Sequence, residues 1–292
     1  MSRFTKANRL AWAGAFAAAS ICGAAMVPVL AADTPAKSDA IPNFSSANFG
    51  WLLAAGGTDY LTVPGQTPPV TNDPKYPHVG NNQGGQPTER VADVTNPLLK
   101  PWAAEQMKQR NDEIIKGKRG FVAQSRCWPG GVPGQLLFPA EPIYFIQTSK
   151  EVWMIWQRDH HVRRVYLNQA HSKNPTPTWF GESVGHYENG DTLVIDTIGF
   201  VEHPYSYVDN YRTPHTKDLH VVERWKTNPD GKSIDASFTA EDPGTFTKPW
   251  GGRMHWNRVD RGQMIESNCA ENNANYFNLD EWPMPEAKTA DF

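Results

Sequence analysis

Few cysteines, no second long apolar run, no excess of basic charge and no common cofactor signature: these absences limit what the chain can be. Its 292 residues hold three cysteines, Cys22, Cys127 and Cys269, with no CxxC pair among them. With HExxH and EF-hand spacing also missing, the usual zinc and calcium frameworks drop out, and no metal is expected. GxGxxG and the phosphate-binding loop are absent, so no nucleotide or other cofactor is expected. The run GESVG at 181–185 is not read as a hydrolase elbow.

The opening residues, MSRFTKANRLAWAGAFAAASICGAAMVPVLAAD, combine a basic start (Arg3, Lys6, Arg9), an Ala-rich apolar run and small residues at Ala31 and Ala32. That layout predicts a secretory signal peptide over 1–32 and a periplasmic or secreted protein. No later run approaches the roughly 20 apolar residues that span a bilayer, so no membrane span is expected after cleavage. The leader carries three of the 28 basic residues and none of the 31 acidic ones, which leaves 25 against 31. An acidic balance argues against nucleic acid as a partner. In an oxidising compartment the two remaining cysteines, Cys127 and Cys269, read as a disulfide worth roughly 4–5 kcal/mol on the loop-entropy model.

Three regions follow from composition. Residues 33–100 are rich in Pro, Gly, Asn and Thr and read as an irregular arm whose apolar islands, such as the one around Trp51, dock on the main body. Residues 101–292 read as one helix plus a β-barrel domain. The helix covers KPWAAEQMKQRNDEIIKGKRG, with Pro101 in its first turn, Ala103, Met107 and Ile114 on one face, and Gly117 at its end. From about 138 to 270 the period changes to strict alternation, in IYFIQT, EVWMIWQR, HVRRVYLN and their successors. The Asn189–Gly190 pair and the NPDG run at 228–231 mark hairpins. GGRMHWNRV and GQMIESNCA close the series. Eight to ten strands joined mostly by hairpins predict an all-β, antiparallel up-and-down barrel with a flanking helix, a size that leaves room for one small ligand.

The motifs HVRRVYL, GDTLVIDTIGF, PHTKDLHVVERW and CAENN, together with DPGTFTKPW, resemble a large family of exported bacterial proteins common in soil and aromatic-degrading species. The resemblance covers most of residues 119–275. It implies export and lipocalin-like barrel patterning, and it carries no reaction with it.

Candidate chemistry gathers in HTKDLHVVER, 215–224. Alternation along the strand puts His220, Val222 and Arg224 on one face and Val221, Glu223 and Trp225 on the other. An inward His220 beside Arg224 is expected to stay neutral and act as a base, with His215 arriving from the loop. Asp196, set among Val194, Ile198 and Phe200, is expected to pair with that histidine or to serve as acid. In VRRVY either Arg163 or Arg164 must face inward and meet a carboxylate; Arg164, Arg224, Tyr166, Trp156 and Trp179 are the candidate substrate contacts. The 11 Trp, 9 Tyr and 13 Phe fit an aromatic-walled pocket.

The reading that results is a lyase or isomerase without a cofactor, performing elimination, decarboxylation or proton transfer on a small aromatic or apolar, carboxylated molecule. Its catalytic residues would be His220, Asp196 and His215. The rival is a lipocalin-like carrier of a hydrophobic ligand; a homodimer is compatible with either.

Overall fold

The computed structural model describes residues 41–45, 48–54, 60–79, 89–118, 120, 122–123, 127–137, 141–260 and 264–269. The segment 1–32, read as a leader, and the CAENN motif beyond Cys269 lie outside these residues.

Four short strands come from the arm: β1 (Gly50–Leu53), β2 (Leu61–Thr62), β3 (Thr71–Asn72) and β4 (Ala92–Asp93). Helix α1 (Pro101–Ile115) follows. The body supplies β5 (Ile143–Gln147), β6 (Glu151–Trp156), β7 (Val162–Leu167), β8 (Glu182–Glu188), β9 (Thr192–Ile198), β10 (His220–Thr227), β11 (Ser233–Glu241) and β12 (Trp250–Val259). In space β5 to β12 run in chain order, and β1 pairs with both β5 and β12, closing a nine-stranded barrel. Closure removes the sheet edges that would otherwise offer unpaired backbone groups to other chains.

The expected all-β barrel with one helix is therefore what the chain forms, with three differences. The arm is not only a docked appendage, because β1 completes the barrel and β2 extends β12. One neighbouring pair, β7 and β8, is parallel, with Val165 opposite Ser183 and Leu167 opposite Gly185. A parallel pair needs a long crossover, and residues 168–181 provide it, meeting the outer face of β9 where His171 reaches Asp196 and bridging Phe200, just past the end of β9, through Thr178. Finally, residues 264–269, read as a last strand, form none; they are tied down by the Ser267 hydroxyl on Glu141 (2.9 Å) and by the Cys127–Cys269 disulfide.

Local chemistry explains the hairpins. Asn189 and Gly190 have φ of 53° and 71°, the left-handed pair of a tight two-residue turn, and Gly231 takes φ 65° in the NPDG turn. Helix α1 ends at Gly117 (φ 80°), as its sequence predicts. Its buried face is Ala103, Met107 and Asn111, not Ile114. The Asn111 amide accepts from the Ala92 N–H (2.9 Å) and donates to the Ala92 carbonyl (2.8 Å), pinning β4 to the helix.

The two barrel ends differ. One carries the tight turns. At the other, α1 packs on the loops 199–219 and 242–249: the Trp102 indole donates to the Gly244 carbonyl, and the Arg110 guanidinium donates to the carbonyls of Arg212 and Pro204. Side chains fill the interior. Trp156, Trp225, Trp256, Met154, Ile143 and Leu193 are fully buried, and Trp225 lies 5.7 Å from both Phe145 and Trp256, centroid to centroid. No helix among the described residues is long and apolar enough to cross a membrane.

Candidate functional site

Burial decides which strand face is the interior. In β10 the inward residues are Val221, Glu223 and Trp225, so His220, Val222 and Arg224 face outward. The inward placement expected for His220 is thus reversed, and Arg224 does not join it: the Arg224 guanidinium pairs with Glu188. In β7 the inward arginine is Arg163. It reaches across β8 and β9 to the Glu223 carboxylate (Nη2, 2.5 Å), with Nη2 also donating to the Thr197 hydroxyl (2.8 Å) and Nε to the Ser183 hydroxyl (3.0 Å). Both charged side chains are 1% exposed. The carboxylate that an inward arginine demands is therefore the protein's own.

Arg164 faces solvent, bonded to Glu151 (2.7 Å) and lying over the rings of Trp153 and Tyr166. Tyr166 is accordingly an outer-face residue. Trp156 points into the barrel and stacks on Phe180 (5.4 Å), while Trp179 sits half-buried on the crossover against Trp128 (5.5 Å). These five residues do not converge on one cavity. GESVG does spell the letters of a nucleophile elbow, yet Ser183 lies inside β8, buried, on Arg163 and Thr197, with no strand-to-helix turn around it.

What does converge is an outer-face cluster. Asp196 projects outward from β9 and its Oδ1 accepts from His220 Nε2 (2.9 Å) and from His171 Nε2 (3.0 Å). His171 arrives on the crossover, and its Nδ1 meets Glu182 Oε1 (3.1 Å). Glu182 is held in turn by the Ser172 hydroxyl and N–H, both at 2.7 Å, and the hydroxyl bond keeps its carboxyl below the ordinary range. Other outer-face histidines have one carboxylate each, as in His186–Glu188 and His255–Asp235. Among the described residues, only Asp196 gathers two.

The electrostatics follow from the bonding pattern. With both ring nitrogens on carboxylate oxygens, His171 satisfies both contacts only as a donor at each. His220 donates through Nε2, so the neutral ring presents its lone pair at Nδ1; that nitrogen has no hydrogen-bond partner among the described residues, and the side chain is 37% exposed. An oriented histidine with one free nitrogen facing solvent is equipped to take a proton. The pairing of Asp196 with His220 was legible as a candidate. His171 and Glu182 were missed, since nothing in a loop histidine's neighbours along the chain announces a partner 25 residues away.

His215 is not in this cluster. It is buried in the 199–219 loop, with Nε2 on the Ser206 hydroxyl (2.6 Å) and Nδ1 on the Thr216 carbonyl (2.9 Å). Among the described residues, no group of three or more His, Cys, Asp or Glu side chains is placed to hold a metal ion. The chain matches no family model, no curated protein and no solved structure.

Proposed function

We propose that the protein is an exported acid–base enzyme, a lyase or isomerase, acting on a small aromatic or apolar molecule at the His171–Asp196–His220 cluster. The observation that carries this reading is the shared Asp196 oxygen with an unpartnered His220 Nδ1 beside it. His220 takes a proton from the substrate through Nδ1, and the imidazolium that forms is stabilised by the carboxylate already bonded to Nε2. His171, a donor toward both Glu182 and Asp196, holds that carboxylate in place. Arg164 and Arg224 play no part as a carboxylate clamp, because each is bonded to a glutamate.

A second reading, a carrier for a hydrophobic ligand, is favoured by a different observation. Arg163 Nη1, Trp156 Nε1 and Trp256 Nε1 are buried and have no acceptor among the described residues. Donors of that kind suit an acceptor-bearing guest that displaces part of the side-chain packing inside the barrel.

Incubation of the mature protein with a panel of hydroxycinnamates and hydroxybenzoates, with product analysis and tryptophan fluorescence, separates the two. Turnover that falls by about 10²–10⁴-fold in His220→Gln and Asp196→Asn supports the enzyme. Saturable quenching without product, unchanged in those variants and lost in Arg163→Met, supports the carrier.

A further inference from the structure

The geometry points to a second reactive centre, independent of the Asp196 cluster: Ser206 as a nucleophile and His215 as its general base, acting on carboxylic esters that carry an aromatic group. Both residues belong to the loop between β9 and β10. The His215 ring is buried against Phe200, 6.1 Å between centroids. Its Nδ1 donates to the Thr216 carbonyl, so Nε2 carries the lone pair, and the Ser206 hydroxyl at 2.6 Å must be the donor. Thr216 is itself fixed: its N–H (2.6 Å) and hydroxyl (2.7 Å) both bond the Asp242 carboxylate, which also takes the Thr245 hydroxyl. Nucleophile, base and a rigid group that orients the base are the three parts an activated serine requires. Among the described residues no other serine hydroxyl contacts a histidine nitrogen.

Burial pushes the His215 imidazole below its ordinary value, against the nearby carboxylates of Asp242 and Glu202, which favour its charged form. The ring is therefore neutral, and a base, at pH 7.

The surroundings name the substrate class. Ser206 is 4% exposed, follows Tyr205 and donates its N–H to the His203 carbonyl (2.9 Å); His203 and Tyr205 form a half-buried aromatic layer with Trp128 and Trp179, neighbouring ring centroids being 5.1 to 6.5 Å apart. Gly131, at φ 70°, lets the chain pack closely between Trp179 and Ser206: a Cβ there would sit 3.1 Å from the Trp179 carbonyl, tighter than usual, and in ordinary contact with Ser206 Oγ at 3.7 Å. An aryl group stacked on this layer places an ester carbonyl next to the hydroxyl. Ser206 Oγ then forms a bond to the carbonyl carbon while its proton passes to His215 Nε2. The bond to the leaving oxygen breaks, and that oxygen takes the proton. Water attacks the acyl-serine by the same route and releases the carboxylic acid.

Phenylmethanesulfonyl fluoride tests this directly, since sulfonylation of Oγ expels fluoride with the same proton transfer. The mature wild-type protein is expected to gain one sulfonyl group, mapped to Ser206 by peptide mass spectrometry, and Ser206→Ala none. His215→Gln should slow labelling by about 10²-fold or more, while His186→Gln, which removes a surface histidine, should label at the wild-type rate. The adduct position in wild type remains decisive if a variant fails to fold. Absence of an adduct on folded wild-type protein, an adduct on another residue, or an unchanged rate in folded His215→Gln would each overturn the proposal.

Discussion

Removing the Glu223 carboxylate leaves Arg163 charged in the barrel interior with no anion to face. Such a change costs about 3–5 kcal/mol, whereas replacing both partners by apolar residues of similar size can be close to neutral. Glu223→Gln should therefore lower stability in urea denaturation far more than the double variant Arg163→Met/Glu223→Leu. A second expectation concerns pH. The folded His215 pKa lies below the ordinary 6.5 because the ring is buried. As pH falls through 6.5 the unfolded chain takes up a proton that folded His215 refuses, so stability declines until the folded pKa is reached. The carboxyls of Glu188 and Glu151, held down by hydrogen bonds from Arg224 and Arg164, lose their contributions in a separate window below 4.5. His161, half-buried and likewise held below its ordinary value by burial, contributes in the same upper window as His215. Denaturation at a series of pH values should therefore show the upper slope reduced in His215→Gln and the lower one unchanged. At this scale the sequence was half legible. Alternation sorted the residues of β10 into two faces, but each face carries a charge among apolar groups. Only Arg163, 60 residues earlier, shows that the Glu223 face is the buried one.

Among the elements, the hairpins were the readable part, because the dihedrals of Asn189–Gly190 and of the NPDG turn are dictated by the residues at those positions. Strand β1 was not readable. It has four residues in a Pro- and Gly-rich arm, and its partner in β12 lies about two hundred residues away along the chain. What holds it is Trp51, which is 1% exposed and donates its indole N–H to the Phe44 carbonyl (2.9 Å). Trp51→Ala should cost about 3–5 kcal/mol, well beyond what the loss of an appendage would, and chemical denaturation measures it. A fall under about 1 kcal/mol would mean that β1 is docked and not integral.

For the molecule as a whole, the Cys127–Cys269 bond ties the loop that precedes the barrel body to the segment that follows it, across a sequence separation of 142. The loop-entropy relation gives about 5 kcal/mol for a closure of that length. Thiol titration of the untreated protein without residues 1–32, which hold Cys22, should find no reactive cysteine, and reduction should lower the denaturation midpoint.

Strand direction in this barrel also obeys an arithmetic constraint. Around a ring, up and down can alternate without a fault only if the count is even; nine is odd, so at least one junction must run the same way on both sides. Here that junction is β7–β8, and the detour it forces is the segment that delivers His171 to Asp196. A variant of the chain with one strand more or fewer could alternate perfectly, would need no detour, and would leave Asp196 with a single histidine. The parity of the ring and the composition of the cluster are one fact seen from two distances.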